Sequence, residues 1–137
     1  MFTRILYIIS EKQDEKNTVL ELARQYNCVI YLTALSRTDQ CPPPLTEGRT
    51  RRDTLQESHE RRCWQDIYRL EEEFKRSGIK ASVISQLGTI NNIHSLASST
   101  KADLILLPVS VLGDFDYELP EDTLINMPCP ILLIPMQ

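Results

Sequence analysis

The sequence predicts an α/β protein built on an open parallel sheet with helices on both faces. Two observations carry this. Short, almost wholly apolar, β-branched runs recur along the chain, as strands buried on both faces require, and between them lie polar segments whose apolar residues fall three or four apart. Regular alternation of the two types calls for right-handed crossovers between parallel strands.

The elements follow in order. Residues 3–10, "TRILYIIS", read as a central strand. Polar residues 11–17 then lead into a helix, where Val19, Leu20, Leu22, Ala23 and Tyr26 recur at helical spacing. Residues 28–36, "CVIYLTALS", are a second strand, rich in Val, Ile, Tyr and Thr. Three consecutive prolines in "RTDQCPPPLTEGRT" then forbid helix or inner strand, so this stretch is read as a surface loop.

From about residue 50 to 77 runs a long charged helix with one stripe formed by Leu55, His59, Cys63, Ile67, Leu70 and Phe74. Glu57 with Arg61, Arg69 with Glu73, Glu71 with Lys75 and Glu72 with Arg76 are spaced i,i+4 for ion pairs. Trp64 and Tyr68 lie beside the stripe, and core-edge packing is the expected fate of the pair. Gly78 is a natural helix terminator. Residues 80–87 give a third strand, and Thr89 is placed to cap a short helix with Ile90, Ile93, His94 and Ala97 on one face. "ADLILLP" and "CPILLIP" are the last two strands, making five.

Composition narrows function. A chain of 137 residues fits one domain, here residues 1–137. The hydrophobic share of 42% and charged share of 25% are those of an ordinary globular protein. A net charge of −4 offers no general attraction to nucleic acid or anionic lipid. No apolar run approaches the ~20 residues a membrane helix needs, and a cytoplasmic location is expected. Cys28, Cys41, Cys63 and Cys129 form no C-x-x-C pair, and His59 and His94 stand on separate helices. Neither a metal site nor an acid–base centre is signalled. Cys41 has only Arg37 nearby to lower its pKa, and Ser10 and Ser110 lack a nucleophile elbow. No catalytic residue and no enzyme activity are expected.

In such a sheet the binding crevice lies at the carboxyl ends of the strands where the order reverses, which points to Ser10 and to residues 108–113. Phosphate binding there needs glycines whose amides can approach the anion. The chain has 4 Gly, and Gly48, Gly78 and Gly88 are each explained by a turn or a helix end. Gly113 alone remains. It is followed by Asp114, Asp116, Glu118, Glu121 and Asp122, with no Lys or Arg from residue 102 to the end, so a polyphosphate would meet only repulsion. The acidic spacing does not match a calcium loop either.

Three stretches together resemble the universal stress protein family over nearly the whole chain: "TRILYIIS" with "VLELARQYNCVIYLTAL", "GTINNIHSLASSTKADLILLP", and "MPCPILLIP". The resemblance implies a Rossmann-like, adenine nucleotide alpha hydrolase-like sheet of five parallel strands. It also implies a homodimer formed through the last strand, at Ile131, Leu132, Leu133 and Ile134. Members that bind ATP carry a glycine-rich phosphate loop and tend to carry Asp after the first strand. Here the matching residues are Pro108, Val109, Ser110, Val111, Leu112 and Gly113, and Ser10 and Glu11 replace the Asp. The expectation is therefore a dimeric stress-response or regulatory protein that acts through contacts with an unidentified protein partner, without ATP or another cofactor. The competing expectation is a nucleotide sensor in which Ser10, Leu35, Ser110 and Gly113 line an adenine or AMP site.

Overall fold

The structure is a computed structural model that describes residues 3–10, 15–35, 51–84, 87–89, 91–113 and 119–135, with the backbone alone for 51–59. Five strands, β1 (Arg4–Ile8), β2 (Val29–Thr33), β3 (Lys80–Val83), β4 (Leu104–Pro108) and β5 (Ile131–Ile134), form one sheet in the order β3-β2-β1-β4-β5. Every pairing is parallel. The helices are α1 (Lys16–Tyr26), α2 (Arg51–Arg76), α3 (Ile93–Thr100), α4 (Val109–Gly113) and α5 (Glu121–Ile125). The five-stranded parallel sheet with helices on both faces is the architecture the apolar runs predict.

Side-chain alternation along β1 divides the core. Ile5, Tyr7 and Ile9 point to one face and pack with Val19 and Ala23 of α1 and with Cys63, Ile67, Leu70 and Phe74 of α2. Leu6 and Ile8 point to the other and pack with Ile93, Leu96 and Ala97 of α3 and with Val111 and Leu112 of α4. Strand β4 is buried at all five positions, which is why its sequence is a continuous apolar run. Helices α1 and α2 cover one face and α3 the other, and the strand order reverses between β1 and β4.

Local chemistry sets several boundaries. The Asp103 carboxylate accepts hydrogen bonds from the Thr3 N–H (2.8 Å), the Thr3 hydroxyl (2.7 Å) and the Arg4 N–H (3.0 Å), pinning the start of β1 to the start of β4. These bonds hold its pKa below the usual carboxylate range. Helix α2 ends as predicted at Gly78, with φ +81°. There the Ile79 N–H bonds the Phe74 carbonyl and the Gly78 N–H the Lys75 carbonyl, both at 3.0 Å.

Three expectations need correction. Strand β3 stops at Val83, four residues short of the predicted end, although Gly88 still bridges Leu35 beyond it. Helix α3 begins at Ile93 instead of after Thr89. Asn92, at the cap position, accepts at its Oδ1 from the Thr89 N–H at 2.7 Å. Arg69 pairs with Asp66 (3.8 Å) and not with Glu73, because Glu73 reaches across to Lys16 of α1 at 3.0 Å. The pairs Lys75–Glu71 (3.5 Å) and Arg76–Glu72 (2.7 Å) form as expected. Finally, residues 109–113, the stretch matched to the family's phosphate loop, form a short helix. The side chains of Leu55, Glu57 and His59, and Ile90, Arg37, Cys41, Gly48, Glu11, Asp114, Asp116 and Glu118, lie outside the described residues.

Candidate functional site at the carboxyl rim and the open edge

The sheet brings all four candidate residues to one rim. Ser10 follows β1, Leu35 follows β2, and Ser110 and Gly113 follow β4. Their environments differ. Ser10 is 5% exposed and Leu35 6%, and Leu35 belongs to the α3-side core, where it bridges Gly88. An added Cβ on Gly88 would stand 2.5 Å from Leu96 Cδ1 and 3.3 Å from Leu35 Cδ2, so this glycine serves close packing. Ser110 and Gly113 are half-buried on α4, whose Val111 and Leu112 are driven into the core.

The dominant polar feature of the rim is one that sequence reasoning missed. Glu15, the residue before α1, is 3% exposed. Its carboxylate accepts from the Ser10 hydroxyl at 3.0 and 2.9 Å and from the Tyr7 hydroxyl. Among the described residues no cation pairs with it; neighbouring Lys16 is engaged by Glu73. The hydrogen bonds of Glu15 come from the two buried hydroxyls, and it makes no capping bond to the amides of α1. Tyr7 is stacked on Phe74, with ring centroids 6.3 Å apart. Burial first, then the bond to Glu15 and its charge, push the phenol pKa far up, so Tyr7 acts purely as a donor.

A signal for this network was present in the spacing. Glu15, Val19 and Ala23 are four apart and share the inward stripe of α1, and Tyr7 lies on the same strand face as Ile5 and Ile9. Chemically the arrangement is self-satisfied. The Ser10 and Tyr7 hydroxyls that could greet a polar ligand already donate to a carboxyl group supplied by the chain. Among the described residues no group of three or more His, Cys, Asp or Glu side chains could hold a metal ion.

The second feature is the open edge at β5. Of the four residues expected at a subunit contact, Leu132 is 43% exposed, Leu133 50%, Ile131 is half-buried, and Ile134 is buried in the protomer's own core. A cavity of about 300 Å³ opens beside the strand, lined by Ile5, Leu22, Tyr26, Leu104, Pro130, Ile131 and Leu132. The opposite edge, β3, instead carries exposed Lys80 and Ser82.

No protein-family model and no curated protein matches this sequence. Solved structures do. A universal stress family protein from Burkholderia pseudomallei superposes with a TM-score of 0.65 at 17% identity, covering 97% of this chain and 96% of that one. The chain has the universal stress protein fold. A universal stress protein in complex with cAMP gives a TM-score of 0.59 at 12% identity, with 99% of each chain covered. One from Archaeoglobus fulgidus in complex with dAMP gives 0.54 at 15%, covering 96% of this chain and 97% of that one. On the universal stress fold, the rim formed by Ser10, Glu15 and α4 lies where a doubly wound sheet reverses its strand order. No described helix is long and apolar enough to cross a membrane.

Proposed function

We propose that this chain is a divergent, cytoplasmic member of the universal stress protein family that acts as a regulator, through self-association at β5 and contacts with a protein partner, without binding or turning over ATP. The observation that carries the reading is the state of the rim. The segment after β4 is a side-chain-bearing helix with Val111 and Leu112 buried, and the head of α1 is furnished with the buried carboxylate of Glu15. A triphosphate needs close backbone amides and positive charge. This rim supplies side chains and a negative charge, and a carboxylate in a low-dielectric site repels phosphate more strongly than one in water.

A second reading, a sensor of adenine mononucleotides, draws support from the cAMP and dAMP complexes of structurally similar proteins. The two separate on one experiment. Protein isolated from cells without added ligand is denatured, and the released small molecules are identified by chromatography and mass spectrometry. The regulatory reading expects no stoichiometric nucleotide. One equivalent of AMP or cAMP would establish the sensor instead, and one of ATP would overturn the leading reading outright.

A further inference from the structure

The edge opposite β5 carries a surface of different chemistry. Strand β3 ends the sheet and pairs on one side only, with β2. The Ile84 N–H donates to the Leu32 carbonyl at 3.2 Å, and Leu32 is in register with Val83. In a parallel ladder this turns the N–H and C=O of Lys80 and Ser82 toward β2, and those of Ala81 and Val83 to the open side. Among the described residues no strand takes them up. A cavity of about 560 Å³ lies beside them, lined by Lys75 and Ala81 on the α2 face and by Val29, Lys80 and Ser82 on the other.

Charge decides what such an edge accepts. Lys80 is exposed, and the ion pairs at the adjoining end of α2 join Lys75 to Glu71 and Arg76 to Glu72, leaving Lys80 outside them. Arg4 is exposed on the same face and in the same cross-strand row, since it is in register with Val29 and Val29 with Lys80. Its guanidinium donates to the Thr100 carbonyl at 3.4 Å. The acid of this region, Asp103, is held by the Thr3 and Arg4 N–H groups. In a chain of net charge −4 this row is therefore locally positive. A lysine on an edge strand repels the same edge of a second copy, and the same Coulomb force draws a strand of opposite charge.

We infer that the β3 edge docks an extended acidic segment of the protein partner, which adds to the sheet with its backbone bonded to Ala81 and Val83 and its carboxylates beside Lys80. The inference rests on the proposed contact with a protein partner and adds its place and its chemistry. In strand addition the main-chain bonds supply affinity and the flanking side chains supply selection. Here Ala81 and Val83 serve the first role, and Lys80, with Arg4 deeper in the row, the second.

A fluorescein-labelled peptide of alternating threonine and glutamate tests it on the isotope-labelled protein, with a threonine–lysine peptide as control. The acidic peptide is expected to bind saturably and the basic one not at all. On binding, the Ala81 and Val83 amides should shift in the NMR spectrum and gain protection from hydrogen exchange, while the Ser82 amide, already turned to β2, changes little. Lys80→Glu should weaken the acidic peptide about fivefold or more, because an exposed attraction is replaced by repulsion. Val83→Pro removes an outward N–H without touching the β2 ladder, so it should abolish binding at an unchanged urea midpoint. If that variant unfolds, Lys80→Glu and the amide protection decide. Binding that leaves Ala81 and Val83 unprotected, or that Lys80→Glu does not weaken, overturns the inference, and so does binding of neither peptide. The regulatory reading fails separately, on an equivalent of nucleotide released from the isolated protein.

Discussion

Replacing Glu15 by alanine tests the network at the rim most severely. The substitution strips the acceptor from two buried hydroxyls, Tyr7 and Ser10, which are 0% and 5% exposed. An orphaned buried donor costs about 1–3 kcal/mol, so losing the acceptor of Tyr7 alone should remove about that much, a large part of a typical domain's stability. Glu15→Gln keeps a carbonyl acceptor, sheds the desolvated charge and costs less than about 1.5 kcal/mol by the same reasoning. Tyr7→Phe removes one donor, and combined with Glu15→Ala it should cost clearly less than the sum of the two, since they share a bond. Urea unfolding followed by the fluorescence of Trp64, the single tryptophan, measures all four. If Glu15→Ala lies within about 0.5 kcal/mol of the parent, or if the pair is additive, the carboxylate is not the acceptor for these hydroxyls and the argument fails.

Three further outcomes follow from the packing. Gly88→Ala should lose roughly 1–3 kcal/mol by overpacking against Leu96 and Leu35, and an unchanged urea midpoint would show that Leu96 yields freely. Gly78→Ala meets nothing within 4 Å yet must hold φ +81°, so it should cost about 1 kcal/mol from backbone strain alone, and Gly78→Asn less. Asp103 has a folded-state pKa lowered by its bonds to Thr3 and Arg4. The native state thus binds fewer protons than the unfolded one, and the stability these bonds supply is present above pH ~4 and fades as pH falls. The gap in urea midpoint between parent and Asp103→Asn should narrow between pH 7 and pH 3, and a gap constant with pH would contradict the assignment.

The fold was legible because strands buried on both faces leave little choice of residue. Strand β4 could be read from its apolar run alone, and α2 from its stripe and from Gly78. Elsewhere tertiary contacts overrode the local signal. "VSVLG" follows the proline that ends the strand, and Val111 and Leu112 bury themselves by coiling into α4. Thr89 has the chemistry of a cap, but Asn92 stands at the cap position of α3 instead. Glu73 has Arg69 one turn away, and a lysine from another helix takes it instead. At the rim, Ser10 and residues 108–113 could be located from the strand order. The buried Glu15 carboxyl was hidden, because a glutamate ahead of a helix ordinarily faces water.

Isothermal titration of the purified protein with magnesium ATP addresses the central claim most directly, because it asks whether a rim built from α4 and Glu15 can grip a triphosphate. The expected trace shows no saturable heat up to millimolar nucleotide. Saturable binding of one ATP per chain at sub-millimolar concentration would contradict the account.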